Sequence, residues 1–126
     1  MDGGLPDLLS FNGSAFQYDR APLTAGVGER VRFWVLDAGP DRGTSFHLVG
    51  GQFDTVWSEG AYLLRRGRGP DGGSDGGSDG GSQVLALAPA QGGFVEAVLD
   101  EPGDYPFVSH VMSDAERGAH GVLRVR

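Results

Sequence analysis

The strongest constraint on this chain is its punctuation. Among its 126 residues are 23 glycines and 7 prolines, and between them lie only short apolar or alternating runs. That pattern calls for many turns joining short strands, and it favours a β-sandwich over a helical bundle. Leu8 to Phe11 is a short apolar run closed by Asn12-Gly13, and Glu29 to Leu36 alternates before turning apolar, so both are expected as strands. Between them, Leu23-Thr-Ala-Gly-Val-Gly28 carries paired glycines suited to a tight reversal. Beyond the turn chemistry of Asp37 to Gly43, Thr44 to Val49 and Phe53 to Trp57 give two more runs, divided by Gly50-Gly51.

Residues 71 to 82 are three copies of Asp-Gly-Gly-Ser. With no apolar side chain to bury, the segment 69–82 is expected to be a flexible solvated loop within one domain spanning 1–126. Calcium-binding glycine- and aspartate-rich repeats carry a regular apolar position that this tract lacks. Val84 to Leu87, Phe94 to Leu99, Tyr105 to Ser109 and Val122 to Val125 complete the strand pattern, with Glu101-Pro-Gly-Asp104 as a turn between two of them. Ser113-Asp-Ala-Glu116 has the spacing of a capping box and predicts one helical turn, ended by Gly118. About eight or nine strands with one short helical turn describe an all-β, Greek-key β-sandwich.

Composition removes whole classes of chemistry. There is no cysteine, and so no disulfide, thiolate nucleophile, zinc–cysteine site, iron–sulfur cluster or blue-copper centre. All ten basic residues are arginine, which excludes a lysine Schiff base. A net charge of −7 argues against nucleic acid or an anionic membrane surface as partner, since both are held through clustered cations. No apolar run approaches the length of a membrane span, and Met1-Asp-Gly-Gly is unlike a secretory signal. Gly26-Val-Gly28 is followed by no helical pattern and is not a dinucleotide fingerprint.

Three histidines are the side chains whose chemistry stands out. His47, in Ser-Phe-His-Leu-Val-Gly-Gly, faces opposite to Phe46 and Leu48 on a strand. It is either a histidine bonded to backbone or one turned from a packed strand toward a site. His110 ends Tyr-Pro-Phe-Val-Ser-His at a strand end, where a ligand is held rigidly and reaches outward, or where a loop histidine simply meets solvent. His120, in the tight corner Gly118-Ala-His-Gly121, reads as structural. Asp54 and Glu59 flank Trp57 as solvated carboxylates.

Several segments in order resemble the second, C-terminal cupredoxin domain of copper nitrite reductases and the related multicopper oxidases. They are Phe11-Asn-Gly13, Leu23 to Val31, Phe46-His-Leu-Val-Gly-Gly51 with Phe53-Asp-Thr-Val-Trp57, and Pro102 to His110 with Glu116-Arg-Gly-Ala119. The resemblance covers nearly the whole chain and implies a cupredoxin-like sandwich. It further implies a homotrimer whose catalytic, type 2-like copper lies between the first domain of one subunit and the second domain of its neighbour. His110 matches the family histidine that donates an imidazole to that copper. His47 matches a histidine that hydrogen-bonds the copper-bound solvent and helps to move protons, a catalytic role.

The partner so implied is an N-terminal cupredoxin domain carrying the remaining ligands. Val111 stands after His110, so no type 1 copper is expected in this chain, and the chain by itself is expected to be inactive. Gln52 stands where nitrite reductases often continue with another histidine, and the segment after His110 is one residue shorter; both departures tilt the reading toward the broader oxidase side. A periplasmic or extracellular parent protein follows from the same resemblance. The alternative is a non-catalytic cupredoxin-like assembly or binding module, or an excised or engineered domain that trimerises by itself.

Overall fold

The computed structural model describes residues 10–39, 42–69, 80–110 and 118–126. Among these, nine strands form: β1 Leu23–Ala25, β2 Arg30–Leu36, β3 Thr44–Leu48, β4 Thr55–Ser58, β5 Ala61–Leu64, β6 Val84–Leu87, β7 Gly92–Val98, β8 Gly103–Ser109 and β9 His120–Val125. One short helix among the described residues, α1 Gln17–Arg20, precedes them. The strands make two sheets, ordered β1-β9-β8-β3-β6 and β2-β7-β4-β5. All pairings are antiparallel except β1 with β9, which is parallel. Consecutive strands repeatedly cross between the sheets, as a Greek-key sandwich requires.

The period of two along each strand decides what the sheets enclose. Phe46 and Leu48 of β3, Leu85 and Leu87 of β6, Phe107 of β8, and Leu123 and Val125 of β9 turn inward from one sheet. Val56 of β4 with Val95 and Ala97 of β7 meet them from the other, and each is at most 3% exposed. Phe33, Phe46 and Phe107 lie with ring centroids 5.3–5.9 Å apart, within the range of favourable tilted aromatic contacts. Phe11 joins this cluster at 5.4 Å from Phe107 and 5.9 Å from Phe46.

Where the structure departs from sequence expectation, pairing explains the difference. Leu23–Ala25 is not part of the reversal but a short strand on β9, and the reversal follows it, with Glu29 N–H donating to the Gly26 carbonyl. Of the strand expected over Leu8 to Phe11, residues 8 and 9 lie outside the described residues, and Phe11 forms an isolated bridge to Ser14 as the Asn12-Gly13 turn folds the chain back. Phe53 likewise makes a bridge, to Ser82, and β4 begins at Thr55. That bridge and a hydrogen bond from Gly80 N–H to the Gly67 carbonyl pin the last residues of the Asp-Gly-Gly-Ser tract. The rest of the tract and the helical turn expected at Ser113 to Glu116 lie outside the described residues.

On the outer face of the four-stranded sheet, Glu96 is buried at 5% exposure and held between two guanidiniums. Arg30 reaches it at 3.1 Å and Arg32 at 2.7 Å. Arg30 also forks onto Asp54 through contacts of 2.8 and 3.0 Å, while Thr55 donates its hydroxyl to the same carboxylate. Burial alone pushes the Asp54 carboxyl up, but the hydrogen bonds from Arg30 and Thr55 and the nearby arginine charge outweigh it and hold it below its ordinary value. A carboxyl with a lowered folded-state pKa stabilises the fold above its unfolded value and loses that contribution as pH falls through the folded one.

Two outcomes follow. Asp54→Asn should cost about 1 kcal/mol at neutral pH, held low because the pair is partly solvated, and the gap from wild type should close below about pH 4 in urea unfolding followed across pH. At Gly93 of β7, an added Cβ would stand 2.2 Å from the Trp57 carbonyl oxygen and 3.2 Å from Ser58 Cα, both backbone. Gly93→Ala should therefore lower stability by about 1–3 kcal/mol, read as a shift in the urea midpoint.

Candidate metal centre

His47 is placed by the burial of its neighbours. Phe46 and Leu48 are 3% and 1% exposed on the inner face of β3, so His47 must project from the outer face of the five-stranded sheet. Its register partners are Val84 on β6 and Val108 on β8. His110 directly follows β8, and its backbone N–H donates to the Ser45 carbonyl of β3 at 2.7 Å. His110 is thus two residues beyond the direct partner of His47, which puts both on one face as diagonal cross-strand neighbours.

The structure brings the two predicted residues together. Their imidazole rings stand 5.5 Å apart, edge to face at 69°. His110 is exposed and His47 half-buried. The Nδ1 of His47 lies 2.6 Å from the Gln83 carbonyl oxygen. A carbonyl only accepts, so Nδ1 carries the hydrogen and donates it, leaving Nε2 unprotonated in the neutral ring. This is the arrangement in which a backbone carbonyl fixes the tautomer and orientation of a working imidazole.

His120 shares the outer face, because it pairs with Val108 on the side away from His47. It is engaged elsewhere, with its Nδ1 2.7 Å from Asp19 Oδ1, tying β9 to α1. Among the described residues, no group of three histidine, cysteine or carboxylate side chains converges as a metal cage. The His47–His110 pair therefore offers part of a donor set: one exposed imidazole held by the backbone, and a second whose tautomer is fixed beside it. Imidazole donors of this kind suit copper among other late first-row metals.

Two supporting residues escaped sequence reasoning. Gln83 contributes only its carbonyl, and Ser45 only its carbonyl, so neither side chain carries a signal. Both follow from strand register. Gln52, singled out as a departure, packs its amide against Gly81, where a Cβ would sit 2.3 Å from its Cδ.

No protein-family model matches the chain. A copper-containing nitrite reductase of Neisseria meningitidis serogroup A is 35% identical over 124 residues, 95% of this chain and 28% of that protein. A multicopper oxidase of Staphylococcus aureus is 26% identical over 126 residues, 97% of this chain and 26% of that protein. Among solved structures, a copper-containing nitrite reductase from Thermus scotoductus superposes with a TM-score of 0.75 at 30% identity, over 93% of this chain and 25% of that one. A multicopper oxidase structure gives a TM-score of 0.79 over the whole of this chain at 24% identity, a likeness of fold. The chain spans about a quarter of the length of the curated relatives it matches. Sequence matches and shared fold together make this chain a cupredoxin domain of the copper nitrite reductase and multicopper oxidase superfamily.

Proposed function

We propose that the chain is the C-terminal cupredoxin domain of a copper-dependent oxidoreductase, contributing to a type 2-like copper site completed by an N-terminal cupredoxin domain of a neighbouring subunit. The observation that carries this reading is the His47–His110 pair at 5.5 Å on one sheet face, with a partial donor set. His110 would hold the copper through its imidazole, and the remaining ligands would come from the partner domain. The bound copper would supply Lewis acidity and one-electron transfer. With no cysteine in the chain, electrons have to reach that site from elsewhere.

The part played by His47 follows from its tautomer. Because Nδ1–H is committed to the Gln83 carbonyl, Nε2 is the atom that accepts a proton from solvent and passes it to an acceptor bound beside His110. When Nε2 is protonated, the Nδ1–H bond to Gln83 remains and keeps the ring in place, so proton transfer requires no reorientation. Reduction of a small oxygen-containing acceptor consumes protons, which gives such a relay a purpose. Homotrimeric assembly would bring the partner domain to this face, and the parent protein would be periplasmic or extracellular. A non-catalytic assembly module is the second reading, favoured by the lack of a complete donor set among the described residues.

In the complete assembly, His110→Ala should lower copper occupancy measured by metal analysis. His47→Ala should leave copper bound while slowing turnover by about 10²-fold or more. Full occupancy and normal activity in His110→Ala would sink the ligand assignment; stable assembly with no copper uptake and no activity, wild type included, would leave the assembly module as the reading. Independently of metal, long-range ¹H–¹⁵N spectra at neutral pH should show His47 as the Nδ1–H tautomer. A dominant Nε2–H form would remove the basis for the relay.

A further inference from the structure

The opposite side of the sandwich carries a second constructed surface. Val31, Phe33 and Val35 of β2 pack against the core, so Arg32, Trp34 and Leu36 project outward from the four-stranded sheet. Trp34 pairs in register with Phe94, Phe94 with Trp57, and Trp57 with Tyr62, forming one aromatic rung across all four strands. The register shift between Val56 and Trp57 is what allows Tyr62 to face outward while Leu64 packs on the core. Phe94 is the hub of the rung, its ring centroid 4.8 Å from that of Trp34, 5.6 Å from that of Trp57 and 6.0 Å from that of Tyr62.

The rung buries Phe94 beneath it and opens to water at its β2 end. Trp34 is 67% exposed and Leu36 beside it 69%. Next to it the charge has the opposite sign to that of the whole chain. Arg30 and Arg32 sit on β2, and Arg65, Arg66 and Arg68 on the turn that closes β5, so half of the ten basic residues gather at one end of this sheet. Glu96 and Asp54 engage only the first two of these in ion pairs. The Arg32 guanidinium lies 4.0 Å from the Phe94 ring centroid and that of Arg65 lies 4.6 Å from Tyr62. Between them is a concavity of about 430 Å³ lined by Arg32, Thr55, Tyr62, Arg65, Arg66 and Glu96.

We propose that this face is a docking surface for a carboxylate-rich segment of a partner protein, which sets an apolar side chain on Trp34 and its carboxylates on Arg65 and Arg66. Tryptophan, tyrosine and arginine are the residues that dominate binding energy at protein interfaces, and here they are contiguous and preorganised by strand register. Charge selects the occupant. Two copies meeting through this same face would set arginine against arginine. An anionic membrane would be opposed by the chain's net charge of −7, whereas a short acidic segment feels mainly the arginines within about 8 Å of it at physiological salt.

Both tryptophans of the chain, Trp34 and Trp57, belong to the rung, so selectively excited tryptophan fluorescence reports on this face alone. The probe is the peptide Glu-Glu-Leu-Phe-Glu-Asp-Glu, titrated into the full 126-residue chain, with a version bearing lysine at every acidic position as control. The acidic peptide should give a saturable emission change that weakens with salt, and Trp34→Ala and Arg65→Glu should each weaken binding by about tenfold or more. Trp34→Ala removes a largely exposed ring, and circular dichroism will verify that each variant is folded. No emission change, an equal response to the lysine peptide, or binding untouched by Arg65→Glu would overturn the proposal. So would a response only to phosphatidylserine vesicles, or a concentration-dependent rise in mass by light scattering that alone moves the emission. Copper content plays no part in the readout, so this surface stands or falls apart from the His47–His110 reading.

Discussion

The antiparallel register between β3 and β8 is the constraint on which both the interior and the chemistry of this domain depend. It pairs Phe46 with Ser109 and Leu48 with Phe107, and so delivers the largest apolar side chains of both strands to one shared interior. The same register sets His47 opposite Val108 and leaves His110 two positions further along on the outer face. A slip of one residue would carry the phenylalanines into water and the imidazoles into the core. Hydrophobic burial therefore fixes the separation of the two histidines without any direct contact being selected for that purpose. Ring geometry at the site is inherited from packing beneath it.

Much of this was legible in the sequence, and the reason is local. Alternation is visible within a strand, so β2, β3, β6, β7, β8 and β9 could be anticipated, as could the outward facing of His47 between two buried neighbours. What stayed hidden depends on pairing between distant segments. Leu23–Ala25 looks like a turn until β9 is laid beside it, and Ala61–Leu64 becomes a strand only because β4 accepts it through a bulge. The Gln83 carbonyl is a similar case, since any residue type at that position would present it. The parts of a site made from backbone leave no mark on residue identity.

The two sheets treat their outer faces differently, and the contrast clarifies each. The outer face of the five-stranded sheet presents histidines, with His120 bonded to Asp19 and Arg124 paired with Asp104. The four-stranded sheet sinks a carboxylate, Glu96, into its outer face and neutralises it with Arg30 and Arg32. A buried carboxylate is tolerable only with such partners, and the partners also rigidify the strand that carries Trp34. One face sets two imidazoles side by side, the other holds aromatic rings at fixed spacing.

The parallel pairing of β1 with β9 joins Leu23 to Leu123, a hundred positions apart in the chain. Closing so long a loop carries an entropic penalty that only late, collective contacts repay. β3 is likewise joined to β8 and β6 across long separations, so only the β8–β9 pairing of the histidine-bearing sheet links strands adjacent in sequence. Partially folded forms of this domain will hold neither imidazole in place. The spacing of the two rings is thus a property of the finished fold, and the topology acts as a kinetic clock on when that pair can first exist.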